Sequence, residues 1–289
     1  MGMKRYTIPV HEALKPYLRY CAVKTTTVEK DESIVESSTQ ADIWPSLVVL
    51  RGPAIKMTDA GGKLVPVPRV TFMGASEISG AYEVPDGSQL IGFNFHPGKA
   101  HPFFGSSLAE FTNKIVPLHD AWGKEGALYE ERIEAAESPL AVKKIVEEAL
   151  LHRLAEFHGF PDALPEPLGA AIGSSGSTTV GELAAQGGCS ERHLKRLFDQ
   201  WVGLSPKIFS RIVRFQALVE ALTPAVEPDW AGLAFEQGYF DQSHLIRDFK
   251  DFAGTSPERF YDGAMRPATS DAAAWKHMQP EGLSLTPAR

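Results

Sequence analysis

The sequence repeats itself near its C-terminal end, and this duplication constrains the fold more than any other feature. Residues 187–209 match residues 238–260 without a gap, at an offset of 51. Gly187, His193, Leu194, Arg196, Phe198, Gly203, Ser205, Pro206 and Phe209 recur as Gly238, His244, Leu245, Arg247, Phe249, Gly254, Ser256, Pro257 and Phe260. Ordinary residue usage of about 5 to 7% gives only one or two chance identities in such a window. Each copy reads G-x-x-[SD]-x-x-H-L-x-R-x-F, then G-x-S-P.

Each copy has the signals of two short helices joined by a tight turn. In the first, Thr179 and Glu182 form a T-x-x-E capping box that opens a helix through Ala185. Gly187-Gly188 ends it, because glycine tolerates a left-handed backbone. Ser190 caps a second helix, whose Leu194, Leu197, Phe198 and Trp201 fall at i, i+3, i+4 and i+7 and form one buried stripe. The opposite face carries Glu191, Arg192, Lys195, Arg196 and Asp199. In the second copy Asp229 caps a helix through Gln237, Gly238 breaks it and Asp241 caps the next. Leu245, Phe249 and Phe252 form that helix's stripe, and Gln242, Ser243, His244 and Arg247 occupy its early turns. A short helix, a glycine turn and a second helix presenting polar and cationic groups is the helix-turn-helix pattern. Gln pairs with adenine and Arg with guanine in the major groove. His193 and His244 precede buried leucines in both copies, so capping or packing competes with base contact as their role.

Between the copies, Ser205-Pro206 opens a helix with proline at its first position, and Pro224 stops it after Leu222. About 18 residues of helix span roughly 27 Å, near the ~34 Å between successive major-groove faces on one side of a duplex. The stretch from about Thr178 to Tyr261 resembles the DNA-binding domain of the AraC/XylS transcription regulators. The resemblance is carried by Gly238-Tyr239-Phe240-Asp241-Gln242-Ser243-His244-Leu245, then Arg247, Phe249-Lys250 and Gly254-Thr255-Ser256-Pro257. It implies a seven-helix bundle with two recognition helices. Its base-contact positions fall on Arg192, Lys195 and Arg196 in the first helix and on Gln242, Ser243 and Arg247 in the second. Two residues depart from the family's habit: Phe240 stands where a small or polar residue is usual, and Asp262 where a basic one is common.

The formal net charge of −7 argues against indiscriminate coating of nucleic acid, which depends on excess Lys and Arg. Acids also outnumber bases in the last third, although several are helix caps or first-turn residues with a structural reason. Modest non-specific affinity and a steep salt dependence are expected. Cys21 and Cys189 form no C-x-x-C pair and read as structural thiols. The longest apolar runs fall far short of the roughly 20 residues of a membrane span, and Met1 to Pro9 has no signal-peptide core. A cytoplasmic protein is expected.

From Tyr6 to about Pro117 the pattern changes to short β-rich runs: 22–28, 46–50, 54–58, 70–72, 78–84 and 89–95. Asp59-Ala60-Gly61-Gly62 and Pro85-Asp86-Gly87-Ser88 read as hairpin turns. A small antiparallel barrel or sandwich is expected over residues 1–123, with a barrel-like, cupin-like domain as the leading form. Its Gly92-Phe93-Asn94-Phe95-His96-Pro97-Gly98 segment, with Phe104-Gly105 and Pro117 to Gly123, resembles the β-rich N-terminal domain of some regulators of the same family. There is no H-x-H pair, so no metal and no cofactor are expected. Trp44, Phe93, Phe95 and Phe104 are candidates to line a pocket for a small apolar effector; plain core packing is the competing role.

Residues 124–160 read as helices that either pair two chains or pack within one. Residues 161–177, rich in Pro, Gly and Ser, read as a linker, 178–262 as the double helix-turn-helix domain and 263–289 as a loose tail. The fold class is therefore α+β: a β-rich N-terminal domain, connecting helices and an all-α C-terminal domain. The expected function is sequence-specific DNA-binding transcription regulation, not enzymatic catalysis. Double-stranded DNA and RNA polymerase are the implied partners, with a small effector and a homodimer as further candidates. The rivals are a cupin-type enzyme or DNA-alkyl transferase, which needs clustered metal ligands or a reactive cysteine, and an interaction module that has lost DNA binding.

Overall fold

The computed structural model describes residues 2–27, 34–59, 61–157, 159–223 and 226–264. Pro224, the expected helix stop, lies outside the described residues, as do Val28, Ala60, His158 and tail residues 265–289. The strands are β1 (Gly2–Ile8), β2 (Leu18–Thr27), β3 (Ile34–Thr39), β4 (Ser46–Arg51), β5 (Lys56–Thr58), β6 (Leu64–Pro66), β7 (Val70–Met73), β8 (Gly80–Pro85), β9 (Gln89–Phe95) and β10 (Ile115–Pro117). They form two antiparallel sheets, ordered β1-β2-β9-β4-β7-β10 and β3-β8-β5-β6. Helices α1 (His101–Phe104), α2 (Leu118–Trp122), α3 (Lys124–Glu134) and α4 (Pro139–Ala155) follow, with β10 between α1 and α2.

Strand alternation explains the layering, because successive side chains point to opposite faces. On the larger sheet Cys21, Val23, Leu47, Val49, Val70, Phe72, Ile91, Phe93 and Phe95 share one face. There they pack with Phe103 and Phe104 of α1 and with Val142, Val146 and Leu150 of α4. Val48 and Leu50 point the other way and meet Ile55, Val67 and Val84 at the smaller sheet. The layers run small sheet, large sheet, helices.

Of the two expected forms, barrel and sandwich, the N-terminal domain takes the second: an open two-sheet sandwich, whose sheets do not close on each other among the described residues. The Asp59 turn does join a hairpin, β5 to β6, with the Asp59 carboxylate accepting from the Gly61 and Lys63 N–H groups at 2.9 and 3.0 Å. The 85–88 turn is no hairpin: it carries the chain from β8 in one sheet to β9 in the other. It is pinned by Gly87 N–H to Thr26 O and Thr26 N–H to Ser88 O.

The remaining helices are α5 (Pro165–Gly173), α6 (Val180–Gln186), α7 (Glu191–Trp201), α8 (Pro206–Ala221), α9 (Trp230–Glu236), α10 (Gln242–Ala253) and α11 (Pro257–Ala264). The expected linker thus contains α5, whose Leu168 and Ala171 are buried with Leu183, Leu194 and Phe198. Proline at its first position makes 165–173 a competent helix, whatever its glycine content suggests.

Helix α8 is the axis of this half. Phe209, Ile212, Val213, Phe215, Leu218 and Val219 are all buried in it. Arg211 of α8 reaches α10, placing Nη2 2.6 Å from Asp248 Oδ1 and 2.6 Å from Asp251 Oδ2. Asp248 is fully buried, so removing it leaves the half-buried guanidinium with only the exposed carboxylate of Asp251. Asp248→Ala is expected to cost roughly 3 kcal/mol in urea unfolding, and the double change Arg211→Met with Asp248→Leu to recover most of it. Equal losses in the single and double variants would show that the pair does not tie α8 to α10.

Candidate DNA interface and interdomain cavity

The two helix-turn-helix units are α6–α7 and α9–α10, and their caps are those the sequence announced. Thr179 Oγ1 accepts from Glu182 N–H at 3.3 Å while Glu182 Oε2 accepts from Thr179 N–H at 2.8 Å. Ser190 Oγ accepts from His193 N–H at 3.3 Å, and Asp241 Oδ1 from His244 N–H at 2.7 Å. The paired histidines are therefore the capped third residues of α7 and α10. The His244 ring also packs edge-on against Tyr239, with centroids 5.2 Å apart. The stripes Leu194, Leu197, Phe198, Trp201 and Leu245, Phe249, Phe252 are buried.

Arg192, Lys195 and Arg196 on α7 and Gln242, Ser243 and Arg247 on α10 are all exposed. Among the described residues none of the four cations is held in an ion pair; Arg196 approaches His193 Nδ1, at 3.4 Å. Arg211, by contrast, is committed to the interior. Each recognition helix thus presents uncommitted donors on the face opposite its buried stripe, the arrangement that lets a helix meet base edges and phosphates.

The N-terminal half grips the C-terminal end of both recognition helices. Near α7, the His101 ring stacks on Trp201 at 3.9 Å, and burial lowers its pKa. Ser107 Oγ donates to Asp199 O at 3.1 Å and Thr112 Oγ1 to Gly203 O at 2.5 Å. Gly203 has φ +86°, and a Cβ there would lie 2.9 Å from Leu108 O, so this close approach requires glycine. Near α10, Ala41 N–H donates to Phe252 O at 2.8 Å.

Between these two grips lies a cavity of about 270 Å³. Its walls come from both sheets, through Ser46, Met57, Met73 and Asn94, and its roof from Phe215, Gln216, Val219 and Glu220 of α8. Arg19 lines it, its guanidinium 4.2 Å from the Trp44 ring centroid. Gln40 Nε2 and Gln216 Oε1 are buried there without a hydrogen-bond partner among the described residues. Of the expected pocket residues, Trp44 lines this cavity. Phe93, Phe95 and Phe104 do not: they lie in the core between the large sheet and the helices, where Phe72 and Phe104 stack at 3.6 Å. Strand parity is the reason. The inward face is the one shared by Ser46, Met73 and Asn94, and the polar residue between Phe93 and Phe95 was the signal for it. Among the described residues no group of three or more His, Cys, Asp or Glu is placed to hold a metal ion. None of their helices is long and apolar enough to cross a membrane.

Two exposed-donor recognition helices, in units joined by one buried helix, define a double helix-turn-helix protein that binds DNA. The family model "Helix-turn-helix domain" matches residues 183–262, from the middle of α6 to α11. Residues 183–262 therefore carry a helix-turn-helix domain of the AraC type, as the sequence resemblance implied. A second model, "Domain of unknown function (DUF6597)", matches residues 6–117, which cover the sandwich. No curated protein matches the chain. Among solved structures it is similar to ToxT from Vibrio cholerae O395, at 11% identity, over 82% of this chain and 98% of that one, with a TM-score of 0.43. ToxT bound to (E)-4-(8-methylnaphthalen-1-yl)but-3-enoic acid gives 11%, 79%, 98% and 0.43. The AraC-like transcriptional activator CuxR gives 11% identity over 76% of this chain and 86% of that one, with a TM-score of 0.27. The assignment rests on the helix-turn-helix match and the geometry of the two units, not on these structures.

Asp42 ties the cavity wall to its roof. It lies at the cavity surface yet is hemmed in by protein, and Oδ1 accepts from Trp44 N–H at 3.2 Å and from the Gln216 amide at 3.1 Å. Burial pushes its carboxyl up to about 6, against the pull of those hydrogen bonds and of Arg19. The folded state therefore holds this proton more tightly than the unfolded one, and the contribution of Asp42 to stability falls as pH rises from about 4 through 6. Asp42→Asn keeps the acceptor oxygen and cannot ionise. The melting temperature of the variant minus that of the wild type should rise between pH 4.5 and pH 7. A difference that is flat in pH would mean that Asp42 is not held protonated by burial.

Proposed function

We propose that the chain is a cytoplasmic, effector-controlled regulator that reads double-stranded DNA with both recognition helices. Arg192, Lys195 and Arg196 serve the first half of the site and Gln242, Ser243 and Arg247 the second. In this reading the chain is not an enzyme; RNA polymerase is the machinery it acts on, and a homodimer is its assembled form. The observation that carries the effector is the cavity itself. It is roofed by α8, the helix that joins the two DNA-reading units, and it holds an unpartnered donor on Gln40, an unpartnered acceptor on Gln216 and the Arg19 guanidinium. Buried groups of this kind are costly until something satisfies them. A fitting ligand is a small molecule with an apolar body against Met57, Met73 and Phe215 and a polar end at Arg19 and Gln40. Differential contact with the α8 roof gives it a route to bias the spacing of the two recognition helices.

The DNA arm of the test is a salt titration of binding to a duplex selected by the full chain from a random pool. Arg196→Ala should weaken binding and reduce the slope of log K against log salt by about 1 if it meets phosphate, or cost roughly 1 to 3 kcal/mol at one base pair if it meets a base edge. Unchanged affinity, slope and base preference would remove Arg196 from the interface.

For the effector arm, a panel of small aromatic and aliphatic carboxylic acids, amides and polyols is screened by thermal shift. Hits should raise the melting temperature of the wild type, change its affinity for the selected duplex and lose both effects in Arg19→Ala and Gln40→Ala. Hits that act equally on these variants would place the effector elsewhere.

A further inference from the structure

The two units are not the simple 51-residue repeat that their sequences suggest. In the first turn Gly188 takes the left-handed conformation at φ +60° and Cys189 N–H donates to Ala184 O at 3.0 Å. Ser190, the cap of α7, follows at once. In the second turn Gly238 is left-handed at φ +72° and Tyr239 N–H donates to Ala234 O at 2.8 Å. Gly188 therefore corresponds to Gly238 and Cys189 to Tyr239, an offset of 50, which the helix caps Thr179 and Asp229 share. The caps Ser190 and Asp241 stand at 51. The second turn holds one residue more than the first, and that residue is Phe240.

Among the described residues nothing covers its phenyl ring. A residue just before a helix cap often packs on the fourth helical residue, here Leu245. Yet Leu245 is fully buried without it, Tyr239 has taken the packing position and Phe240 is 92% exposed. A single exposed apolar side chain is ordinary and carries no message by itself. Its place does: Phe240 directly precedes the capped first turn of α10 and adjoins the exposed Gln242 and Ser243. A phenyl group cannot hydrogen-bond a phosphate or a base edge. The apolar group that the major groove offers is the C5-methyl of thymine, a known partner for Phe.

We propose that Phe240 is a specificity residue that packs against a thymine methyl in the half-site entered by α10. The inference rests on the reading that α10 enters the major groove, and the test separates the two. The full chain first selects its duplex from a random pool. Each thymine is then replaced by deoxyuridine, which deletes the methyl and nothing else. One methyl removed from apolar contact corresponds to about a fourfold loss. The wild type should lose about fourfold at one or two positions in the half-site whose contacts vanish in Arg247→Ala. Phe240→Ala, with an unchanged melting temperature, should bind the thymine duplex about fourfold more weakly or worse and be indifferent to deoxyuridine at those positions. If Arg247→Ala weakens binding while Phe240→Ala keeps wild-type affinity and deoxyuridine sensitivity, the proposal is overturned and the phenyl serves something other than DNA. It is equally overturned if no thymine in that half-site is sensitive. If Arg247→Ala and Gln242→Ala also leave binding unchanged, the reading of α10 itself has failed, and the proposal with it.

Discussion

Everything in the C-terminal half hangs on one buried helix. α8 fills the core with Phe209, Ile212, Phe215 and Leu218, and it supplies Arg211 to the wholly buried Asp248 of α10. It also supplies Arg214, whose Nη2 donates to Gly176 O at 2.6 Å in the segment leading into α6. Gly176 has φ +72°, and a Cβ there would meet Ser210 O at 2.0 Å, so backbone lies directly on backbone. One rigid element therefore touches both helix-turn-helix units through apolar packing, an ion pair and close backbone contact. Densely packed cores shift between discrete arrangements more readily than they deform continuously. The relative setting of α7 and α10 is thus a property of how α8 is seated.

The sandwich acts on that seat from the opposite side. Its contacts fall on the ends of the recognition helices, through Trp201, Asp199 and Gly203 at α7 and Phe252 at α10, while Arg192, Lys195, Arg196 and Arg247 stay exposed, the first three beside His101 and Ser107 of the N-terminal half. Between the contacts it leaves a cavity rather than core, with α8 as the roof and the Asp42 to Gln216 hydrogen bond as a strut. A void lined by a stacked guanidinium and by amide atoms that lack a partner among the described residues, Gln40 Nε2 and Gln216 Oε1, is a poor way to stabilise a fold. It is a reasonable way to make the seat of α8 responsive.

Local chemistry was legible in the sequence; relations between segments were not. Thr179, Ser190, Ser205, Asp229 and Asp241 announced five helix starts because a capping side chain and its target N–H lie within three residues of each other. The recognition stripes were legible for the same reason, since helical period places them on one face. Strands β1 and β3 were missed because Gly2–Ile8 and Ile34–Thr39 read as polar. Their partners, β2 and β8, are set by distant residues. The pocket aromatics were misplaced because composition singled out Phe93 and Phe95, whereas parity puts their neighbour Asn94 on the inward face. The gap-free repeat concealed the extra residue Phe240, because Gly187-Gly188 offers two glycines and only the backbone shows that the second is left-handed.

In the function proposed for it, one chain reads two successive major-groove faces, with α7 and α10 held at a fixed setting by α8. Hydroxyl-radical footprinting of the full chain on its selected duplex tests this most directly. Two protected segments are expected on one side of the duplex, about 10 base pairs apart, one weakened by Arg196→Ala and the other by Arg247→Ala. A single protected segment, or two that respond together to either substitution, would contradict it.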